Sequence, residues 1–160
     1  MERRRRRVLV ADADDMSLST LRHQLIDAGY EVCTTTSGHD VVMLCELQPP
    51  DVLIMDIHLP DMDGFEVCER VRHENAGADI TVLIMTEAVD DMTHSYLGQM
   101  VEYAGGDYFL AKPYDLKLLL MVLDDLTMDS TRMAKRSRPA SRLCDPMETV
   151  THAPSLPRGR

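Results

Sequence analysis

The sequence predicts an α/β protein: a five-stranded parallel sheet with helices on both faces, wound twice as a (βα)5 unit. Two observations predict it. The apolar runs Val8–Ala11, Val52–Met55, Val82–Met85 and Tyr108–Ala111 are continuous rather than alternating, as strands buried on both faces read. Helically spaced apolar residues fill the stretches between them, so strand and helix alternate along the chain. That alternation needs a parallel sheet with right-handed crossovers.

Each element has its own signal. After the first run, residues 15–28 place Leu18, Leu21, Leu25 and Ala28 on one stripe, and Gly29 stops the helix. Glu31–Thr34 is a weaker strand candidate. Ser37 is a suitable N-cap for a helix through Val41, Val42, Leu44 and Cys45, closed by Pro49 and Pro50. Gly64–Glu74 reads as the third helix, and Asp90–Tyr103 as the fourth, ended by Gly105 and Gly106. Tyr114–Leu126 reads as the fifth, with Leu116, Leu119, Leu120, Leu123 and Leu126 turned inward. From residue 127 the pattern ends, and the Ser, Thr, Pro and Arg content of 127–160 predicts a flexible tail. The expected organisation is a basic extension over 1–7, one domain over 8–126 and the tail over 127–160.

Composition narrows the function. Hydrophobic residues make up 44% of 160, enough for a single core. No apolar run is long enough to span a bilayer, and Val8–Ala11 is too short for a signal-peptide core, so a cytoplasmic location and no membrane association are expected. Cys33, Cys45, Cys68 and Cys144 form no C-x-x-C pair and read as buried free thiols. The net charge of -10 is uneven: residues 1–7 and 127–160 each carry +4, leaving -18 between them. An acidic domain argues against direct DNA binding. The Arg3–Arg7 run reads first as a solvated terminus, with binding to nucleic acid or an acidic partner, or a path across the chain's own acidic surface, as the alternatives.

In an open parallel sheet the functional crevice lies beyond the carboxyl ends of the strands. There the sequence puts Asp12, followed by Asp14 and Asp15, then Asp56, Thr86, and Lys112 with Pro113. Acidic oxygen ligands suit Mg2+ rather than zinc or copper. A carboxylate can attack a phosphoryl group to give an aspartyl phosphate, while an ammonium and a hydroxyl stabilise the transferring oxygens. The plainer readings are that Asp56 is a loop acid or helix cap, and that Asp14 or Asp15 caps the first helix. Capping and a metal role both stay open for Asp14. Asp61 and Asp63 read as residues that order a loop and start the third helix.

At these residues the chain resembles the receiver domain of bacterial two-component response regulators. The segment Asp51–Cys68, DVLIMDIHLPDMDGFEVC, carries the strongest likeness, supported by Thr81–Glu87, TVLIMTE, and Tyr108–Tyr114, YFLAKPY. The resemblance covers residues 8–126 and implies a flavodoxin-like fold. It makes Asp56 the phosphoacceptor, Lys112 the lysine that pairs with the phosphoryl group, Thr86 the switch hydroxyl and Phe109 the switch aromatic. It makes Pro113 a candidate for a cis peptide bond. It implies a Mg2+ held by Asp12, Asp56 and the backbone carbonyl of His58, with Asp14 as a further candidate. The implied partners are a histidine kinase or phosphotransfer protein, and a downstream protein on the face of the fourth helix, fifth strand and fifth helix. A homodimer is compatible with it. No DNA-binding output domain is expected in the 34 residues after Leu126.

Two positions depart from the family. Ala13 stands where the second acid, normally a direct Mg2+ ligand, is expected, which should weaken metal binding. Glu87 follows the switch threonine, where a small residue is usual, and its charge would oppose phosphorylation. The stretch between Thr86 and Lys112 is also longer than usual. These departures favour a rival reading, a phosphate-independent docking module. An aspartyl-nucleophile phosphatase fits less well, because Asp56 is followed by Ile57 and His58 rather than by D-x-D, and no cap-sized insertion exists.

Overall fold

The computed structural model describes residues 5–73, 79–87, 91–129 and 150–152. The chain runs β1 (Arg7–Ala11), α1 (Asp15–Asp27), β2 (Glu31–Thr35), α2 (Gly38–Leu47), β3 (Val52–Asp56), α3 (Gly64–His73), β4 (Thr81–Glu87), α4 (Asp91–Tyr103), β5 (Tyr108–Lys112), α5 (Leu116–Asp129) and β6 (Val150–His152). The strand order is β2-β1-β3-β4-β5-β6. The first five strands are mutually parallel, as expected; β6 joins β5 antiparallel.

Strand order reverses between β1 and β3, each followed by a helix on an opposite face of the sheet. The side chains show why the strands are continuous apolar runs. Val8, Val10, Val52, Ile54, Leu83, Met85 and Leu110 pack with α1 and α5 through Leu18, Leu21, Leu25, Leu119 and Leu123. Their neighbours Leu9, Leu53, Met55, Ile84 and Phe109 point the other way, against α2, α3 and α4. Alternation about the pleat thus fills two cores at once, and each such side chain contributes about 1.5–3 kcal/mol relative to exposure.

The helix starts are local. Asp14 caps α1 and Ser37 caps α2. Asp63 accepts from Phe65 N at 2.8 Å at the start of α3, and Asp115 accepts from Lys117 N at 2.8 Å at the start of α5. Gly29 turns the chain out of α1 at φ +95° and Gly105 out of α4 at φ +93°, conformations that favour glycine.

Three expectations change. Cys33 is exposed on the edge strand β2, whereas Cys45 and Cys68 are buried, and burial pushes both of those thiols up to about 12; Cys144 lies outside the described residues. Ala28 is the exposed C-cap of α1 rather than part of its apolar stripe, because the helix ends a residue earlier. The regular structure also exceeds the expected limits. Arg7 belongs to β1, α5 continues to Asp129, and Val150–His152 of the expected tail is a strand. Arg7 is no free terminus: Nε meets Glu31 Oε1 at 3.2 Å and Nη2 donates to Gln48 Oε1 at 2.9 Å. Arg3 and Arg4 lie outside the described residues.

Candidate phosphoacceptor site

The last residues of β1, β3 and β5 meet on one edge of the sheet, at the reversal of strand order. Asp12 follows β1 and is held by its backbone N–H to Thr35 O at 3.3 Å. Asp56 ends β3 in register with Met85, and Ile57 N continues the pairing to Met85 O at 2.9 Å. Both aspartates are buried, at 3% and 7% exposure. An unpaired carboxylate at such depth would be costly. Lys112 compensates both: its Nζ donates to Asp12 Oδ2 at 2.7 Å and to Asp56 Oδ2 at 2.5 Å.

The second oxygens are engaged by backbone. Asp56 Oδ1 accepts from His58 N at 2.8 Å, and Asp12 Oδ1 accepts from Asp14 N at 2.9 Å. Burial alone would lower the Lys112 pKa, but hydrogen bonds to Asp12 and Asp56, with their charges, outweigh it and raise the value above that of an ordinary lysine. The ammonium is therefore fixed as a cation between two carboxylates, and the cluster keeps one net negative charge. Tyr114, just past the cis Lys112–Pro113 peptide bond, is half-buried beside it; burial raises its pKa, and Lys112 partly offsets this.

Thr86 is buried near the end of β4 in register with Ala111 of β5. Glu87, next along, is exposed and in register with Lys112, so its backbone neighbours that of the site lysine. Phe109 is fully buried on the α2, α3 and α4 side. His58 is exposed, bridged to Asp63 across the loop. Ala13 is exposed and, with His58, Pro60 and Asp63, lines an open depression over the β3–α3 loop.

Asp14 does not join the charged cluster. Its Oδ1 accepts from Met16 N at 3.0 Å and its Oδ2 from Ser17 Oγ at 3.2 Å. The carboxylate caps α1. Among the described residues no three Asp, Glu, His or Cys side chains converge on one point. Asp12, Asp56 and the His58 carbonyl remain as candidate ligands. Two carboxylates and a carbonyl, with no sulfur or imidazole, fit Mg2+, which retains several waters and takes one or two protein carboxylates.

One residue has a role that the sequence did not reveal. Asp61, in the loop between β3 and α3, accepts from Ser37 Oγ at 2.7 Å, Gly38 N at 2.7 Å and His39 N at 3.1 Å. His39 Nδ1 lies 2.6 Å from the same carboxylate. These hydrogen bonds hold the Asp61 carboxyl well below the usual range. Asp61 therefore ties the loop after the acceptor strand to the start of α2, rather than merely ordering its own loop. The contact spans 24 residues, and only Ser37, already readable as a cap, hinted at donors there. Gly64 closes the same loop: its N donates to Ile57 O at 2.8 Å, and a Cβ there would lie 2.8 Å from Ile57 Cα and 2.9 Å from Asp56 O.

This geometry has known counterparts. A family model of the response regulator receiver domain matches residues 8–124. The response regulator MprA of Mycolicibacterium vanbaalenii is 34% identical over 114 residues, covering 71% of this chain and 47% of that protein. The chain spans about half the length of the curated relatives it matches. The chemotaxis response regulator CheY4 of Vibrio cholerae superimposes with a TM-score of 0.69 at 28% identity, covering 76% of this chain and 98% of that one. The receiver domain of a Pseudomonas aeruginosa sensor histidine kinase, described with a magnesium ion in its active site cleft, gives a TM-score of 0.67 at 24% identity, over 76% of this chain and 97% of that one; at that identity the likeness is one of fold. Buried acids and a lysine at the switch point of a β2-β1-β3-β4-β5 sheet, together with a family match over most of the chain, lead to one conclusion: the chain belongs to the response regulator receiver domains, the phosphorylation-controlled signalling modules of two-component systems.

Proposed function

We propose that Asp56 is the phosphoacceptor of this receiver, taking its phosphoryl group from a histidine kinase or phosphotransfer protein. The observation that carries the reading is the convergence of Asp12 and Asp56 on Lys112 at the sheet's switch point. An Asp56 oxygen attacks phosphorus, the bond from phosphorus to the donor imidazole nitrogen breaks, and an acyl phosphate forms on Asp56. Lys112 is already charged and within reach of the acceptor oxygen, so it can pass to a phosphoryl oxygen without being carried in from solvent. His58 N holds the other Asp56 oxygen and orients the carboxylate. Hydrolysis reverses the state: water attacks phosphorus, inorganic phosphate leaves and the carboxylate returns.

Asp12, Asp56 and the His58 carbonyl would hold Mg2+, which supplies positive charge to the phosphoryl oxygens when bound. With Ala13 in place of a further acid and Asp14 engaged as a cap, that binding is weaker than in receivers with an adjacent acid pair. Thr86 and Phe109 are the candidate relay. The first is buried at the end of β4 and the second is buried on β5, so a new group at Asp56 would bias their packing and the α4–β5–α5 surface read by a downstream protein. Among the described residues no helix is long and apolar enough to cross a membrane, and a cytoplasmic location accords with such a partner.

The test is intact-mass analysis after incubation with acetyl phosphate and Mg2+. The chain should gain one phosphoryl group, and Asp56→Asn should gain none. Equal labelling of the variant, or no labelling of the parent under conditions that label another receiver, overturns the assignment.

A further inference from the structure

The two edges of this sheet are treated differently. On β2, no residue is buried, and the exposed positions Glu31 and Cys33 alternate with half-buried ones. A short, charged, half-wet strand is a safe edge. On β5, Phe109, Leu110 and Ala111 are buried. That is the composition of a central strand. Left bare, such an edge presents unpaired N–H and C=O groups along an apolar strand, a template for another chain.

The edge is not bare. Val150–His152 lies along it antiparallel, pairing Tyr108 with His152, Phe109 with Thr151 and Leu110 with Val150. Every other pairing in the sheet is parallel. The segment's sequence suits the role: Thr149, Val150 and Thr151 are β-branched and stand between Pro146 and Pro154. Charge favours it as well. Residues 127–160 carry +4 and the domain between the two basic ends carries -18, so the tail as a whole is attracted to the body, while Val150–His152 itself carries no formal charge and binds through its backbone.

We infer that the outer edge of β5 is a strand-accepting surface, and that the chain's own Val150–His152 fills it in cis. Three paired residues are a short strand, marginal by itself, so its occupancy is exchangeable. Tethering supplies a high local concentration that a free peptide lacks. A partner that adds a strand to β5 must displace it. Such a partner is an extended, β-branched segment that binds through main-chain hydrogen bonds. This inference stands apart from the assignment of Asp56.

Hydrogen–deuterium exchange on the full chain tests it, with Val150→Pro/Thr151→Pro as the comparison. Adjacent antiparallel positions alternate in bonding direction, so one of the two prolines removes an N–H aimed at β5. The variant should exchange the outward amides of residues 108–110 at least about tenfold faster, with β1 and β3 unchanged. A synthetic peptide of residues 147–155, added to the variant at millimolar concentration, should restore slow exchange. Identical β5 exchange in the two chains overturns the inference. So does acceleration shared equally by β1 and β3, or a variant that the peptide fails to protect.

Discussion

Lys112 Nζ donates to Asp56 Oδ2 at 2.5 Å while also holding Asp12 at 2.7 Å, so one cation answers for two buried carboxylates. Removing it leaves both uncompensated. Lys112→Met should cost about 3 kcal/mol near neutral pH, the usual scale for stranding a buried charge. Urea unfolding is the measurement, and the deficit depends on pH. The Lys112 pKa is raised in the folded state, so its contribution is present in full below the ordinary value of 10.5 and is lost as pH rises through the higher folded value. Parent and variant curves should therefore converge above that point. A constant gap from pH 7 upward through that range would contradict the linkage.

Asp61 gives the acid counterpart. Its carboxyl is held low by Ser37, His39 and Gly38 donors. A depressed folded pKa stabilises above the ordinary value of 3.8 and loses that contribution as pH falls towards the folded value. Asp61→Asn should be less stable than the parent at pH 6, and the difference should narrow below pH about 4. Thermal melts at several pH values measure it. Because the pair ties the β3–α3 loop to α2, the amide of His39 should exchange faster in the variant.

The fold was legible because burial on both faces writes parallel strands as unbroken apolar runs, and Val52–Met55 and Val82–Met85 stand out for that reason alone. Strand β2 was fainter because it is a half-exposed edge, where Glu31 and Cys33 dilute the pattern. Asp12, Asp56 and Lys112 could be placed together because strand ends of a parallel sheet share one edge. What stayed hidden was decided by contacts distant in sequence or by competition for hydrogen bonds. Asp14 sits beside the site, and only its contacts with Met16 and Ser17 show it capping α1. The Asp61 contact to Ser37 and the β6 pairing to β5 depend on how loops and the last segment return to the body, and no local period marks either.

The approach of Gly64 to the acceptor strand is close enough to forbid a side chain. A methyl group there meets backbone, 2.8 Å from Ile57 Cα and 2.9 Å from Asp56 O, and backbone at the end of a central strand has little room to yield. Gly64→Ala should lose about 2–3 kcal/mol, in the range for overpacking, and should slow labelling of Asp56 through displacement of its carbonyl. Gly98, where an added Cβ meets nothing within 4 Å, is the control. Gly98→Ala should be neutral or slightly stabilising by helix propensity. Equal effects at the two positions would show that contact with the acceptor strand is not the cause.

Ala13 provides the last prediction. It is exposed beside Asp12 at the rim of the depression over the β3–α3 loop, and its methyl offers no oxygen to a metal. Ala13→Asp adds a charged ligand beside Asp12 without altering the Lys112 contacts, and Mg2+ affinity responds to ligand charge. Calorimetric titration should show binding tighter by on the order of tenfold, a gain of about 1.4 kcal/mol. Without metal, the added negative charge lies next to a cluster that is already negative, so the variant should melt at a lower temperature than the parent in chelator and at a higher one in millimolar Mg2+. That crossing is the diagnostic result. A variant whose Mg2+ affinity matches the parent's would mean that position 13 does not reach the metal.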